Sequence, residues 1–120
     1  MPHERRVPAY LWDMLEAAKT LVSFTKGVTL EMYLNKLMLR LAVERQIGVI
    51  GEAARRVSES FQSAHPEIPW QRIIAQRNVL IHEYNEIDHE RIWRLVAEQI
   101  PRLVEQLTPL IPPTPEDSKA

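Results

Sequence analysis

Apolar residues recur at three- and four-residue intervals through most of the chain, which is the period of a helix with one buried face. Leu11, Met14, Leu15, Ala18, Leu21 and Val22 predict a first helix from about Pro8 to Thr25, and Gly27 after Lys26 is a stop signal. Thr29 is the next N-cap, with Glu31 in the first turn and Leu30, Tyr33, Leu34, Leu37, Met38 and Leu41 continuing an apolar stripe. Asn35 can cap a new helix, although the spacing also permits an unbroken one. The favoured reading is a short helix followed by a long one that carries Leu39, Val43, Ile47, Ile50, Ala54 and Val57 and ends near Phe61.

His65-Pro66-Glu67-Ile68-Pro69 reads as a connector, because proline disfavours helix at the residue before it while suiting the first helical position itself. A helix from about Trp70 to Tyr84 carries Ile73, Ile74, Val79, Leu80 and Ile81; 85–87 is a turn and Asp88 caps the last helix. That helix has a broad apolar face and a kink expected at Pro101, which cannot donate a backbone hydrogen bond. These elements predict an all-α fold, an antiparallel up-and-down bundle of four to five helices. The expected organisation is one helical domain over 1–108 and a proline-rich flexible tail over 109–120.

Composition narrows the chemistry. The chain has 120 residues, enough for one core, with 45% hydrophobic and 26% charged residues. A net charge of -1 disfavours a protein that coats nucleic acid through a broad cationic surface, so any RNA contact must be local. Cysteine is absent, which excludes disulfides, thiolate metal sites and a thiol nucleophile. No run approaches the roughly 20 apolar residues of a membrane span, and acids interrupt the segment after the charged N-terminus, so no export signal is read. A cytoplasmic protein without membrane contact is expected.

The segment Gln76-Arg77-Asn78-Val79-Leu80-Ile81-His82-Glu83-Tyr84 places a guanidinium, an amide, an imidazole and a phenol within three turns. Arginine offers a fork of donors suited to a phosphate, and histidine exchanges protons near neutral pH. Together they suit RNA cleavage without a metal or other cofactor: the imidazole helps deprotonate the ribose 2'-hydroxyl, which attacks the adjacent phosphorus, while Arg77 stabilises the charged oxygens. On one ideal helix Arg77 and His82 lie about 140° apart and roughly 7.5 Å along the axis, so a single helix does not juxtapose them. Asn78 and His82 form an i, i+4 pair, which would let Asn78 orient the imidazole; Arg77 and Tyr84 share nearly one face at i, i+7. A two-fold pairing of this helix would complete the pocket, and a homodimer or higher even-numbered assembly is expected. By pattern alone an ordinary surface role for the same residues stands level with this reading.

Arg77 and His82 match the R-x4-H signature of HEPN domains, and Arg77-Asn78 to His82-Glu83-Tyr84 match its extended R-N-x3-H-x-Y form. With Ile50-Gly51-Glu52-Ala53-Ala54, Pro66-Glu67-Ile68-Pro69-Trp70, Ile87-Asp88 and Trp93, the chain resembles the HepT-like group over most of 8–108. The resemblance implies the toxin of a type VII-like toxin–antitoxin pair, a metal-independent RNA endonuclease with Arg77 and His82 catalytic and Asn78 supporting. It also implies a minimal nucleotidyltransferase antitoxin that transfers AMP to Tyr84. The alternative is a noncatalytic substrate- or nucleotide-binding subunit of that nucleotidyltransferase. Family members usually carry an acid near the position of Asn35, where this chain has an amide.

Other signals are weaker. Gly48-Val49-Ile50-Gly51 fits close helix packing better than a nucleic-acid loop. His89-Glu90 lacks a second histidine four residues on, and His3, His65 and His89 are too scattered for a metal site, so no metal is expected. Glu83 receives no role, and Trp12, Trp70 and Trp93 fit a core or interface better than base stacking.

Overall fold

The computed structural model describes residues 6–82 and 87–111, with His82 described in its backbone alone. The elements are α1 (Val7–Phe24), α2 (Leu30–Asn35), α3 (Leu37–Arg56), α4 (Glu59–Ala64), α5 (Trp70–His82) and α6 (His89–Arg94), then a π-helical segment (Leu95–Gln99), α7 (Ile100–Leu107) and a 3-10 turn (Thr108–Leu110). Among the described residues there is no strand, and the fold is an all-α bundle.

The long α3 is the hub, packing against α1 on one side and α5 on the other, while α7 packs on α1 and α2 bridges α3 to α6. Its core side chains Val43, Ile47, Ile50 and Ala54 meet Leu11, Met14, Ala18 and Leu21 of α1 in one cluster with Ile100, Leu103 and Leu107 of α7. Burying each large aliphatic side chain is worth about 1.5–3 kcal/mol, so this shared seam is the main source of stability.

Local signals hold where capping chemistry is explicit. Thr29 accepts from the Met32 amide at 3.1 Å and Asp88 from the Arg91 amide at 3.1 Å, both as N-caps. Gly27 takes φ +78, the left-handed conformation that ends α1's connection.

Three expectations change. The helical stripe breaks at Lys36 as favoured, but Asn35 is not the cap: its amide donates back to the Glu31 carbonyl at 2.9 Å, and the Arg40 guanidinium donates to the Leu34 carbonyl. The long helix ends at Arg56 rather than near Phe61. Val57 turns extended, Ser58 caps α4, and the Gln62 amide donates to the Ala54 and Val57 carbonyls that the ended helix leaves open. The distortion attributed to Pro101 lies ahead of it, in the π-helical turn Leu95–Gln99. Pro101 lacks an N–H and crowds the carbonyl four residues earlier, that of Ala97, and a widened turn absorbs both defects. Of the expected tail, Leu110 and Ile111 pack on the core, and 112–120 lie outside the described residues.

Candidate functional site

Position along α5 is set at its first residue. The Trp70 indole N–H donates to the His65 carbonyl at 2.9 Å, the ring is buried, and the Phe61 ring meets it edge-on with centroids 6.3 Å apart. With that end anchored, Ile73 and Arg77, one turn apart, face α3 at Gly51. A Cβ on Gly51 would lie 2.3 Å from the Arg77 Cβ and 3.2 Å from the Ile73 carbonyl oxygen. The stem of Arg77 therefore occupies the space that any side chain at 51 would fill.

This close approach carries the Arg77 guanidinium to the next residue of α3, where its Nη2 lies 3.1 Å from Glu52 Oε2. Arg55 Nη2 and Arg56 Nε reach Glu52 Oε1 at 2.8 and 3.0 Å. One carboxylate thus serves three guanidinium groups, leaving a local surplus of positive charge. The hydrogen bond from Arg55, reinforced by Arg56 and by the charge of Arg77, holds the Glu52 carboxyl down at about 2. Arg77 keeps 24% of its side chain exposed, so it remains open to an anion. It opens into a surface groove between α1, α3 and α5, lined also by the apolar Leu41 and Ile81 and by Arg45, Arg56, Asp13 and Glu44, so the positive charge is confined to the cluster around Glu52.

Asn78, expected to orient His82, accepts a hydrogen bond from Arg77 Nη1 at its Oδ1, 3.3 Å away. His82 is the last residue of α5; its side chain and the whole of Tyr84 lie outside the described residues. The structure thus brings together Arg77, Asn78 and Glu52, and places the backbone of His82 on the same helix. In the sequence Glu52 stood out only as part of the Ile50-Gly51-Glu52-Ala53-Ala54 resemblance, because nothing in its spacing points to a guanidinium on another helix.

The family model described as "Ribonuclease HepT-like" matches residues 14–110, which include Gly51, Glu52, Arg77 and His82. The chain belongs to the HepT-like ribonuclease family. It is 36% identical over 104 residues to the "Putative RNase MJ1380" of Methanocaldococcus jannaschii, covering 87% of this chain and 95% of that one. It is 37% identical over 94 residues to the "Probable ribonuclease HepT" of Thermococcus cleftensis, covering 78% of this chain and 86% of that one. No solved structure matches the chain.

Within this HepT-like bundle the other described histidines sit beside carboxylates. His65 Nδ1 lies 3.3 Å from Glu67, and His89 Nδ1 lies 3.8 Å from Glu44. Burial raises the Glu44 carboxyl, with His89 and Arg40 pulling the other way, and burial pushes the enclosed Tyr33 hydroxyl up. The Tyr33 ring stacks obliquely on Trp93 with centroids 5.0 Å apart, and Trp70 is buried, while Trp12 is 41% exposed. Among the described residues no group of three acids or histidines could hold a metal ion, and no helix is long and apolar enough to cross a membrane.

Proposed function

We propose that this HepT-like ribonuclease is a metal-independent RNA endonuclease toxin in which Arg77 and His82 act on one phosphodiester. The carrying observation is the Arg77 guanidinium, fixed by Glu52 over Gly51 and left partly open to the groove. Held donors of this kind stabilise charge that develops on the non-bridging oxygens, and they need no reorganisation during the reaction. His82 takes the proton of the 2'-hydroxyl as that oxygen bonds to phosphorus. The bond to the 5'-oxygen breaks, leaving a cyclic phosphate and, once that oxygen is protonated, a 5'-hydroxyl.

Two copies of the chain complete the site. Arg77 and His82 are five positions apart, too far around one helix for both to meet the same phosphate, so a second α5 supplies a second imidazole and guanidinium. Support comes from the apolar side chains left in water at the groove: Leu41 is 45% exposed and Ile81 50%. Leu41 and Ile81 line the groove that Arg77 opens into, so apolar patch and guanidinium are continuous.

In the same reading the toxin works in the cytoplasm in a type VII-like pair. A minimal nucleotidyltransferase antitoxin neutralises it by transferring AMP to Tyr84, two residues beyond His82, where an adenylate would crowd the phosphate site and offset its positive field.

The deciding experiment is cleavage of RNA by the purified protein in chelator. Wild type is expected to cut, and His82→Ala and Arg77→Ala to reduce the rate about 100-fold or more. If wild type binds RNA without cutting it, the chain is instead a noncatalytic binding subunit of the nucleotidyltransferase.

A further inference from the structure

The bundle is open along one side. α3 packs on both α1 and α5, and α7 packs on α1, but α5 and α7 meet only sparsely. Between them runs a second groove, floored by Ile47 and Ile50 of α3 and walled by Ile73 of α5 and Ile100 and Leu103 of α7. Its polar residues fall in helical register on both rims. Arg72 and Gln76 stand one turn apart on α5; Gln99, Arg102 and Gln106 line up opposite them. The acid of the lining, Glu67, has its carboxylate 3.3 Å from His65, and its carbonyl takes the Gln106 amide at 2.7 Å, which closes one end. Arg72 and Arg102 make no ion pair among the described residues. The π-helical turn opens the groove at the other end, since Leu95 and Gln99 are its first and last residues and both line the groove.

An aliphatic floor beneath these two guanidinium groups and three amides is poorly matched to a partner helix. Such a helix would have to place a carboxylate opposite a guanidinium on each rim to offset their burial. It is well matched to a nucleotide, whose base has two apolar faces and hydrogen-bonding edges and whose phosphate takes arginine donors in pairs. We propose that this groove is a nucleotide-binding subsite for the RNA strand, with a base against the isoleucine floor and the adjoining phosphate between Arg72 and Arg102. The inference rests on the RNA reading above and extends it. Gln76 and Arg77 are consecutive on α5 and point about 100° apart, so a strand leaving Arg77 passes over the helix into the groove.

The test uses a 2'-O-methyl oligoribonucleotide, which lacks the nucleophile and so reports binding apart from cleavage. By fluorescence anisotropy the double variant Arg72→Ala/Arg102→Ala is expected to bind it about 10-fold or more weaker, with a salt slope smaller by about 0.7 for each phosphate that is no longer neutralised. The charge-matched control Lys19→Ala/Lys26→Ala, on the exposed side of α1 and in the loop after it, should change affinity less than about 2-fold. On cleavable RNA the double variant should raise KM and leave kcat at saturation unchanged. In methyl NMR, the oligonucleotide should shift Ile73 and Ile100. Equal binding by wild type and the double variant, tighter binding of free AMP than of the oligonucleotide, or methyl shifts confined to the Arg77 groove would each overturn the subsite. If wild type binds the oligonucleotide through Arg72 and Arg102 yet cuts no RNA, the nuclease reading fails and the subsite stands.

Discussion

Glu52 of α3 holds the guanidinium of Arg77 of α5, Oε2 to Nη2 at 3.1 Å, across the seam where Gly51 lets the two helices approach. An arginine on a solvent-facing helix otherwise samples many rotamers, and binding a phosphate must then overcome the entropy of ordering it. The ion pair has already imposed that order.

Replacing Glu52 with Gln keeps the shape and removes the charge. The guanidinium no longer has a fixed orientation, and turnover of RNA is expected to fall about 10-fold in kcat with little change in the thermal midpoint, because the ion pairs of Glu52 lie at the surface. Steady-state kinetics beside a melting curve decides this. Unchanged kcat would mean that the ion pair positions nothing.

The two glycines of α3 should respond in opposite directions. Gly51→Ala puts a methyl into the Arg77 stem and forces α3 and α5 apart, which should destabilise the fold by about 1–3 kcal/mol and lower activity together. A Cβ at Gly48 meets nothing within 4 Å, so Gly48→Ala gains helix propensity and should stabilise by about 0.5–1 kcal/mol. Denaturant titration of the two variants measures the contrast.

Protonation gives a third check. Because the folded Glu52 carboxyl titrates near 2 instead of the ordinary 4.5, its contribution to stability, kept small by solvent screening at this surface site, is complete above about 4.5 and is lost as pH falls toward 2. Carboxyl NMR should show that low midpoint in wild type. In Arg55→Ala, which removes the largest cause, the midpoint should move up.

Assembly is tested on the exposed apolar patch. A carboxylate at position 81, in Ile81→Glu, places charge in the proposed interface between two copies and should convert a sedimenting dimer to monomer while the helical circular dichroism is retained. Cleavage should fall with the dimer. A variant that remains dimeric, or a wild type that sediments as monomer at working concentration, would move the interface elsewhere or remove it.

Modification supplies the last prediction. After incubation with the nucleotidyltransferase and ATP, mass spectrometry should find one adenylate on the peptide containing Tyr84, absent in Tyr84→Phe, with RNA cleavage disappearing as the adduct forms. An unmodified wild-type peptide under conditions that silence the nuclease would exclude this route of neutralisation.

Much of the helical skeleton was legible because its determinants lie within one turn. Thr29 and Asp88 cap through their own side chains, Gly27 supplies a positive φ, and the spacing of Leu11, Met14, Ala18 and Leu21 defines the buried face of α1. The ends of α3 were harder to read. Its start depends on Asn35 turning back to Glu31 and its finish on Gln62 reaching the carbonyls of Ala54 and Val57, hydrogen bonds that compete with simple continuation of the stripe.

By itself the sequence determined the helical class, the Thr29 and Asp88 caps and the chemical identity of the motif from Arg77 to Tyr84, since periodicity and side-chain chemistry are local properties. Tertiary structure alone decided that Arg77 pairs with Glu52, that of the two α3 glycines only Gly51 is a close approach, and that α5 and α7 leave a groove between them. The reason is that helices distant in the chain approach only as closely as their intervening side chains allow, and that distance is set by packing rather than by spacing.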